Sequence, residues 1–287
     1  MKREYIATET EIERSYEDSI ERNTQEELFE LLKDKRVVRY RTKTIKAGKQ
    51  AYVSIYPVFS NYETVSRIRK SKTRKAQETL NASNSLKHAI CLVNQNFQDG
   101  DLWATFTYAK MPENVELAKK DLRNFIRRLR YYAEKKYDLE LKCFYVTEYE
   151  NDERKGKVRC HHHLITNFPN MDEMESVWRY GGRTQVRKLY ADEYGYEGLV
   201  RYLLKTGKKE GSKRYGVTRG MQRYSVTIAE GKISRKKASE IVFGEIDAKE
   251  FFEKNYKKYL FLDETIRICD DRFVPGVYIY ARLRLKN

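Results

Sequence analysis

The sequence is poor in residues that build scaffolds without a packed core. Proline occurs only 4 times and glycine 14 times in 287 residues, which excludes collagen-like and low-complexity chains. The four cysteines, Cys91, Cys143, Cys160 and Cys269, lie far apart and form no CxxC pair. That argues against a disulfide framework or a zinc ribbon and suits a reducing cytoplasm. No run approaches eighteen apolar residues, so no membrane-spanning helix is expected. Met1-Lys2-Arg3-Glu4 turns acidic at once and lacks an apolar segment, so no secretion signal is expected. A GxxxxGK[ST] loop is also missing: the Gly-Lys pairs at Gly48, Gly156, Gly207 and Gly231 have no glycine five residues earlier. The chain therefore lacks the phosphate-cradling motif of an ATP-driven motor.

What is abundant is positive charge and tyrosine. There are 58 Lys plus Arg against 42 Asp plus Glu, a net of +16, and 23 tyrosines. Residues 1–34 hold eleven of the acids and five of the bases, so the remainder carries +22. A body this basic attracts polyanions through phosphate neutralisation and counterion release. General solubility is the plainer alternative.

Three parts are expected along the chain. Residues 1–97 read as an acidic helix, a β-hairpin and a basic helix. Thr24-Gln25-Glu26-Glu27 has capping-box spacing before Leu28, Phe29, Leu31 and Leu32. Val37 to Val58 alternates on either side of Ala47-Gly48-Lys49. Residues 64–90 open with Arg67, Arg69, Lys70, Lys72, Arg74 and Lys75, and a polar break follows at Asn94 to Gly100. Residues 98–220 switch between the two periods. Leu102 to Tyr108 reads as a strand. Ala118, Leu122, Phe125, Ile126, Leu129 and Ala133 form one helical stripe, with Lys119, Lys120, Arg123, Arg127 and Arg130 on the opposite face. Strands are expected at Cys143 to Tyr149 and Val158 to Asn167 around a turn at Glu153 to Gly156. A helix over Met171 to Trp178, a strand over Thr184 to Leu189 and a helix over Gly198 to Lys205 follow. This order is the split β-α-β-β-α-β of an α+β fold, an antiparallel sheet with helices on one face. Residues 221–287 read as two helices and a closing hairpin packed on the central part.

Three of the four histidines stand together as His161-His162-His163. Strand alternation points His161 and His163 to one face and His162 to the other, with the outer pair about 7 Å apart. Such a pair can ligate one ion with a third ligand, or it can merely line a basic strand. A hairpin symmetric about Arg154-Lys155 sets Glu148 opposite His161, within roughly 5 Å. Two imidazoles and one carboxylate leave open positions on a metal, as a catalytic site requires. Glu150 faces the same way and replaces Glu148 if the register slips. Arg159, a candidate DNA contact, is also a plain salt-bridge partner for either glutamate. Tyr202 and Lys205 are three apart on one helical face. The same YxxK spacing recurs at Tyr40/Lys43 and Tyr132/Lys135, so by itself it is weak, and a packing role is the alternative.

With these residues the chain resembles the HUH endonucleases, and among them the rolling-circle replication initiators (Rep) of bacterial phages and plasmids. Trp103-Ala104-Thr105-Phe106-Thr107-Tyr108 is similar to the family's upstream motif, His161-His162-His163 to its metal motif and Tyr202-Leu203-Leu204-Lys205 to its nucleophile motif. The nucleophile follows the histidines, as in Rep proteins and unlike conjugative relaxases. Position 198, one turn before Tyr202, is glycine, so the resemblance implies a single-tyrosine enzyme. Cys160 stands where proline often precedes the histidines. The resemblance covers about residues 65–220.

It implies a palm with an RRM-like sheet at 98–220 that nicks and rejoins single-stranded origin DNA. Mn²⁺ or Mg²⁺ would sit on His161, His163 and Glu148. Tyr202 would form a 5′-phosphotyrosine link and leave a 3′-OH that primes synthesis. Lys205 would stabilise the phenolate, whose ordinary pKa of about 10 makes a poor nucleophile. Lys208, Lys209, Lys213 and Arg214 would hold the strand. A host helicase and polymerase would be partners in a bacterial cytoplasm, with no membrane. A non-enzymatic nucleic-acid-binding module on the same sheet and an HUH-type transposase are the alternatives.

Overall fold

The computed structural model describes residues 5–6, 37–59, 74–152, 157–205, 214–269 and 276–286. Its first strands are β1 (Tyr5–Ile6), β2 (Val37–Ala47) and β3 (Gln50–Phe59), followed by helix α1 (Arg74–Asn96). Next come β4 (Leu102–Phe106), α2 (Val115–Tyr137), β5 (Cys143–Asp152), β6 (Lys157–Thr166) and α3 (Met171–Val177). β7 (Thr184–Lys188), α4 (Glu197–Leu203), β8 (Gly216–Val217) and β9 (Ser225–Glu230) continue the chain. It closes with α5 (Arg235–Val242), α6 (Ala248–Asn255), β10 (Tyr259–Cys269) and β11 (Gly276–Leu285). Among the described residues no helix is long and apolar enough to cross a membrane. The expected helix near 24–34, the basic segment 64–73 and the turn 153–156 lie outside the described residues.

The fold is α+β, built from two antiparallel sheets in two compact units. One unit is Met1–Asn84 with Tyr224–Asn287, and the other is Ser85–Arg223. In the first, the sheet order is β10-β11-β3-β2-β9, with β1 on β3. Its core gathers Tyr40, Val53, Ile55, Val277 and Ile279 from strands with Ile241, Phe251 and Phe252 from α5 and α6. The sequence divides most simply into three consecutive parts, but here the C-terminal hairpin shares a sheet with the N-terminal one. Its β11 pairs with β3 from Ile279↔Ile55 to Arg284↔Gln50. The first boundary also falls earlier, between Asn84 and Ser85, because the end of α1 is bonded into the second unit. There Asn94 Oδ1 accepts from the Tyr196 amide at 2.9 Å and Asn96 bonds with Gln222.

The second unit is the expected β-α-β-β-α-β palm, in the order β7-β4-β6-β5 with β8 added at the edge. Asn114 caps α2 by accepting from the Leu117 amide, and Asp138 ends it in the left-handed region at φ 46°. All six residues of the apolar stripe are buried on α2: Ala118, Leu122, Phe125, Ile126, Leu129 and Ala133. They meet Leu102, Ala104 and Phe106 of β4 and Cys160 and Leu164 of β6, and α3 adds Met174 and Val177. Phe125 lies at the centre, edge-on to Phe106 at 4.7 Å and perpendicular to Trp178 at 5.3 Å. Phe125→Ala removes both aromatic contacts and is expected to cost about 3–5 kcal/mol. Urea unfolding of the variant measures it.

Candidate active site

The hairpin of β5 and β6 pairs Glu148 with His161, Val146 with His163 and Thr147 with His162. This register is the one that symmetry about Arg154-Lys155 requires. Along β6, Cys160, His162 and Leu164 turn to the α2 side, so His161 and His163 turn to the other.

His162 is fully buried, and both of its ring nitrogens are engaged. The Tyr108 hydroxyl lies 2.8 Å from Nε2 and the Thr147 hydroxyl 3.0 Å from Nδ1. Tyr108 and Trp178 also meet the ring edge-on, with centroids at 5.5 and 5.8 Å. Burial, with the neighbouring His163 and His161 adding to it, pushes the His162 pKa down to about 3. The ring is therefore neutral near pH 7 and has no nitrogen left for a metal.

His163 is held differently. Its Nδ1 pairs with the Thr105 hydroxyl of β4 at 3.0 Å, and its Nε2 lies 3.8 Å from a Glu148 oxygen. A proton on Nδ1 leaves the Nε2 lone pair toward Glu148, the arrangement in which an outer hydrogen bond orients a metal-binding imidazole. His161 stands opposite Glu148 and faces the same side. Among the described residues no three His, Cys, Asp or Glu side chains are gathered into a metal-binding group. Two imidazoles and a carboxylate on one face are donors that a divalent cation accepts.

Tyr202 reaches this same face. Its ring centroid is 6.2 Å from that of His163, at 69°, and the residue is 60% exposed. Its helix, α4, is seated by Val200 and Leu203, both buried. Two bonds tie α4 to its surroundings and one pair runs along the helix. Tyr196 donates its hydroxyl to Asp99, Glu197 pairs with Arg201, and Arg214 Nη2 donates to the Leu204 carbonyl at 2.5 Å. Lys205 is exposed, one residue past the C-cap Leu204, and its amide donates to the Tyr202 carbonyl. The rival YxxK tyrosines are elsewhere. Tyr40 is 1% exposed in the core of the other unit, where burial pushes its pKa up to about 12. Tyr132 packs against the α2 side of the palm, under Lys136.

The candidate DNA contacts fare unequally. Lys208, Lys209 and Lys213 lie outside the described residues. Only the backbone is described for Arg159 and Glu150, which are cross-strand partners. Arg214 supports the helix of Tyr202 through a backbone carbonyl, a use that charge alone did not suggest. Residue type and spacing alone do not reveal what the members of the Trp103 to Tyr108 motif do. Thr105 orients His163, and Tyr108 with Thr147 anchors His162.

Residues 101–207, from the start of β4 to just beyond α4, match a family model described as a replication-associated protein. The matched stretch includes Thr105, Glu148, the three histidines, Tyr202 and Lys205, and the match supports a replication-initiator role. No curated protein and no solved structure matches the chain.

His162→Ala opens a buried cavity and removes the ring partner of the Tyr108 and Thr147 hydroxyls, so it is expected to cost about 2–4 kcal/mol. His161→Ala, on the open face, should cost under about 1 kcal/mol. Denaturant midpoints of the two variants separate the anchoring histidine from the outward one.

Proposed function

We propose that the protein is a replication initiator of the HUH type that nicks and rejoins single-stranded DNA through Tyr202. One observation carries this reading: an exposed tyrosine stands beside His163 on the face shared with His161 and Glu148. The upstream, histidine and tyrosine motifs are far apart in the chain, and apolar packing does not account for the polar side chains that meet there.

His161, His163 and Glu148 would hold Mn²⁺ or Mg²⁺, which when bound supplies Lewis-acid polarisation of the scissile phosphate. The Tyr202 hydroxyl attacks phosphorus in line and forms a Tyr–O–P bond. The bond from phosphorus to the 3′ oxygen breaks, and that oxygen leaves as a 3′-OH with a proton taken up. A returning 3′-OH reverses the step and joins the strand. Lys205, at the end of α4, stabilises the phenolate or the phosphate. Thr105 holds the His163 ring through Nδ1, and the buried pairing of His162 keeps the strand in register. Lys208, Lys209, Lys213 and Arg159 would extend the grip on the strand. Without a phosphate-cradling loop the chain relies on a separate helicase, and the freed 3′-OH suits a polymerase.

The experiment incubates the protein with single-stranded origin DNA and Mn²⁺ and looks for a covalent adduct. Tyr202→Phe should fold and bind DNA as before yet form none, and mass spectrometry of the wild-type adduct should find the nucleotide on Tyr202. DNA binding without any adduct would favour a non-enzymatic binding module. Thr105→Val should slow Mn²⁺-dependent cleavage by about 10–100-fold, as loss of an orienting hydrogen bond does. Calorimetric titration should show Glu148→Gln weakening Mn²⁺ binding more than Glu150→Gln. Chelation with EDTA should suppress the adduct.

A further inference from the structure

We propose that the solvent face of α2 is a second DNA-binding surface, which grips the phosphate backbone of duplex DNA on the side of the palm away from Tyr202. The choice of DNA among polyanions rests on the replication reading above. The apolar stripe of α2 covers the sheet face that holds Cys160 and Leu164, whereas His163 and Tyr202 occupy the opposite face. Any nucleic acid on α2 is therefore a separate segment from the strand held for chemistry.

The middle of the outward side of α2 is a row of like charge, with the exposed Glu116 and Glu134 on the same face at its two ends. Lys120, Arg123 and Arg127 are all exposed, at intervals of three and four residues that align them along one face. Lys119 and Arg130 flank the row, and Tyr131, 60% exposed, closes it. Two lysines of the helix have carboxylate partners: Lys119 pairs with Glu116, and Lys136 with Glu173. Among the described residues no ion pair joins Lys120, Arg123 or Arg127 to a carboxylate. Cations three and four apart on a helix repel one another, so an unneutralised row weakens the helix that carries it. Between Glu116 and Glu134 the sign on this face does not alternate. Phosphates laid along the row relieve the repulsion.

The dimensions favour a duplex. Lys120 to Arg127 spans about 10 Å of helix axis, over which one strand of a duplex presents about three phosphates. A rigid helix matches charges held at fixed spacing. Single-strand binding surfaces instead stack successive bases on several rings, and this row carries one exposed ring at its end.

The test uses K120Q/R123Q/R127Q, whose substitutions are all exposed, with circular dichroism and urea unfolding as folding controls. Affinities for a random-sequence duplex and a random-sequence single strand are measured by fluorescence anisotropy as salt is raised from about 50 to 200 mM. For the duplex, the variant's slope of log affinity against log salt should be shallower by about 2.7. The wild type then loses about 40-fold more affinity than the variant over that range. Tyr131→Ala should leave duplex binding unchanged. An unaltered duplex slope in a folded variant overturns the proposal. So does a loss confined to the single strand, or a weakening by Tyr131→Ala on the single strand alone, since either assigns the row to unpaired DNA. Adduct formation on the single strand with Mn²⁺ is followed in parallel. A wild type that forms no adduct refutes the nicking reading while leaving the duplex measurement to decide this one.

Discussion

Strand β6 can bury His162 in only one register. Its imidazole sits between the hydroxyls of Tyr108 and Thr147, which meet its two nitrogens at 2.8 and 3.0 Å. A slip of one residue would turn His161 and His163 toward Phe125 and Trp178 and expel His162 to the open face. Two imidazoles would then lack partners in an apolar core, and each unsatisfied buried nitrogen costs about 1–3 kcal/mol. Burial of the middle histidine thus orders the outer two. The same alternation brings Glu148 opposite His161, lets Thr105 reach His163, and leaves the face that Tyr202 approaches free of the aromatic core.

The two faces of the palm divide their work by chemistry. On the α2 side the sheet meets a continuous apolar stripe, with aromatic edges at Phe106, Phe125, Tyr108 and Trp178. On the other side buried Phe144, Val146 and Ile165 sit beside His163, Glu148 and His161, and the tyrosine that meets this polar end is more than half exposed. An accessible hydroxyl is what attack on a polymer requires, whereas the buried Tyr40 is held in its neutral form. The short helix under Tyr202 is seated by Val200 and Leu203, with Tyr196 and Leu204 buried at its ends. Tethers from outside fix it further: Asn94 to the Tyr196 amide, Tyr196 to Asp99, and Arg214 to the Leu204 carbonyl.

Much of this is legible from local pattern. The stripe from Ala118 to Ala133 names the buried face of α2 residue by residue, because a 3.6-residue period needs no knowledge of the partner. The hairpin register from Cys143 to Thr166 follows from a short connection between two alternating strands. The chemical identity of the site, with paired histidines, an opposed carboxylate and a downstream tyrosine, is likewise carried by residue type and spacing.

What local pattern does not carry is any pairing between distant segments. Thr105 and His163 are 58 residues apart, and their hydrogen bond exists because β4 lies beside β6 in the sheet. Among the three YxxK tyrosines the resemblance already singles out Tyr202; the fold adds that Tyr40 is buried, that Tyr132 packs on the α2 side and that Tyr202 lies beside His163. Arg214 looks like a DNA contact when only its charge is considered, and becomes a helix support once Leu204 is near it. The sheet shared by β3 and β11 joins residues more than two hundred positions apart, a closure that no window of sequence contains. Periodicity and composition act over a few residues and so settle elements, faces and chemistry. Strand order and side-chain partnership are settled by which apolar faces bury one another, and that is a property of the whole folded chain.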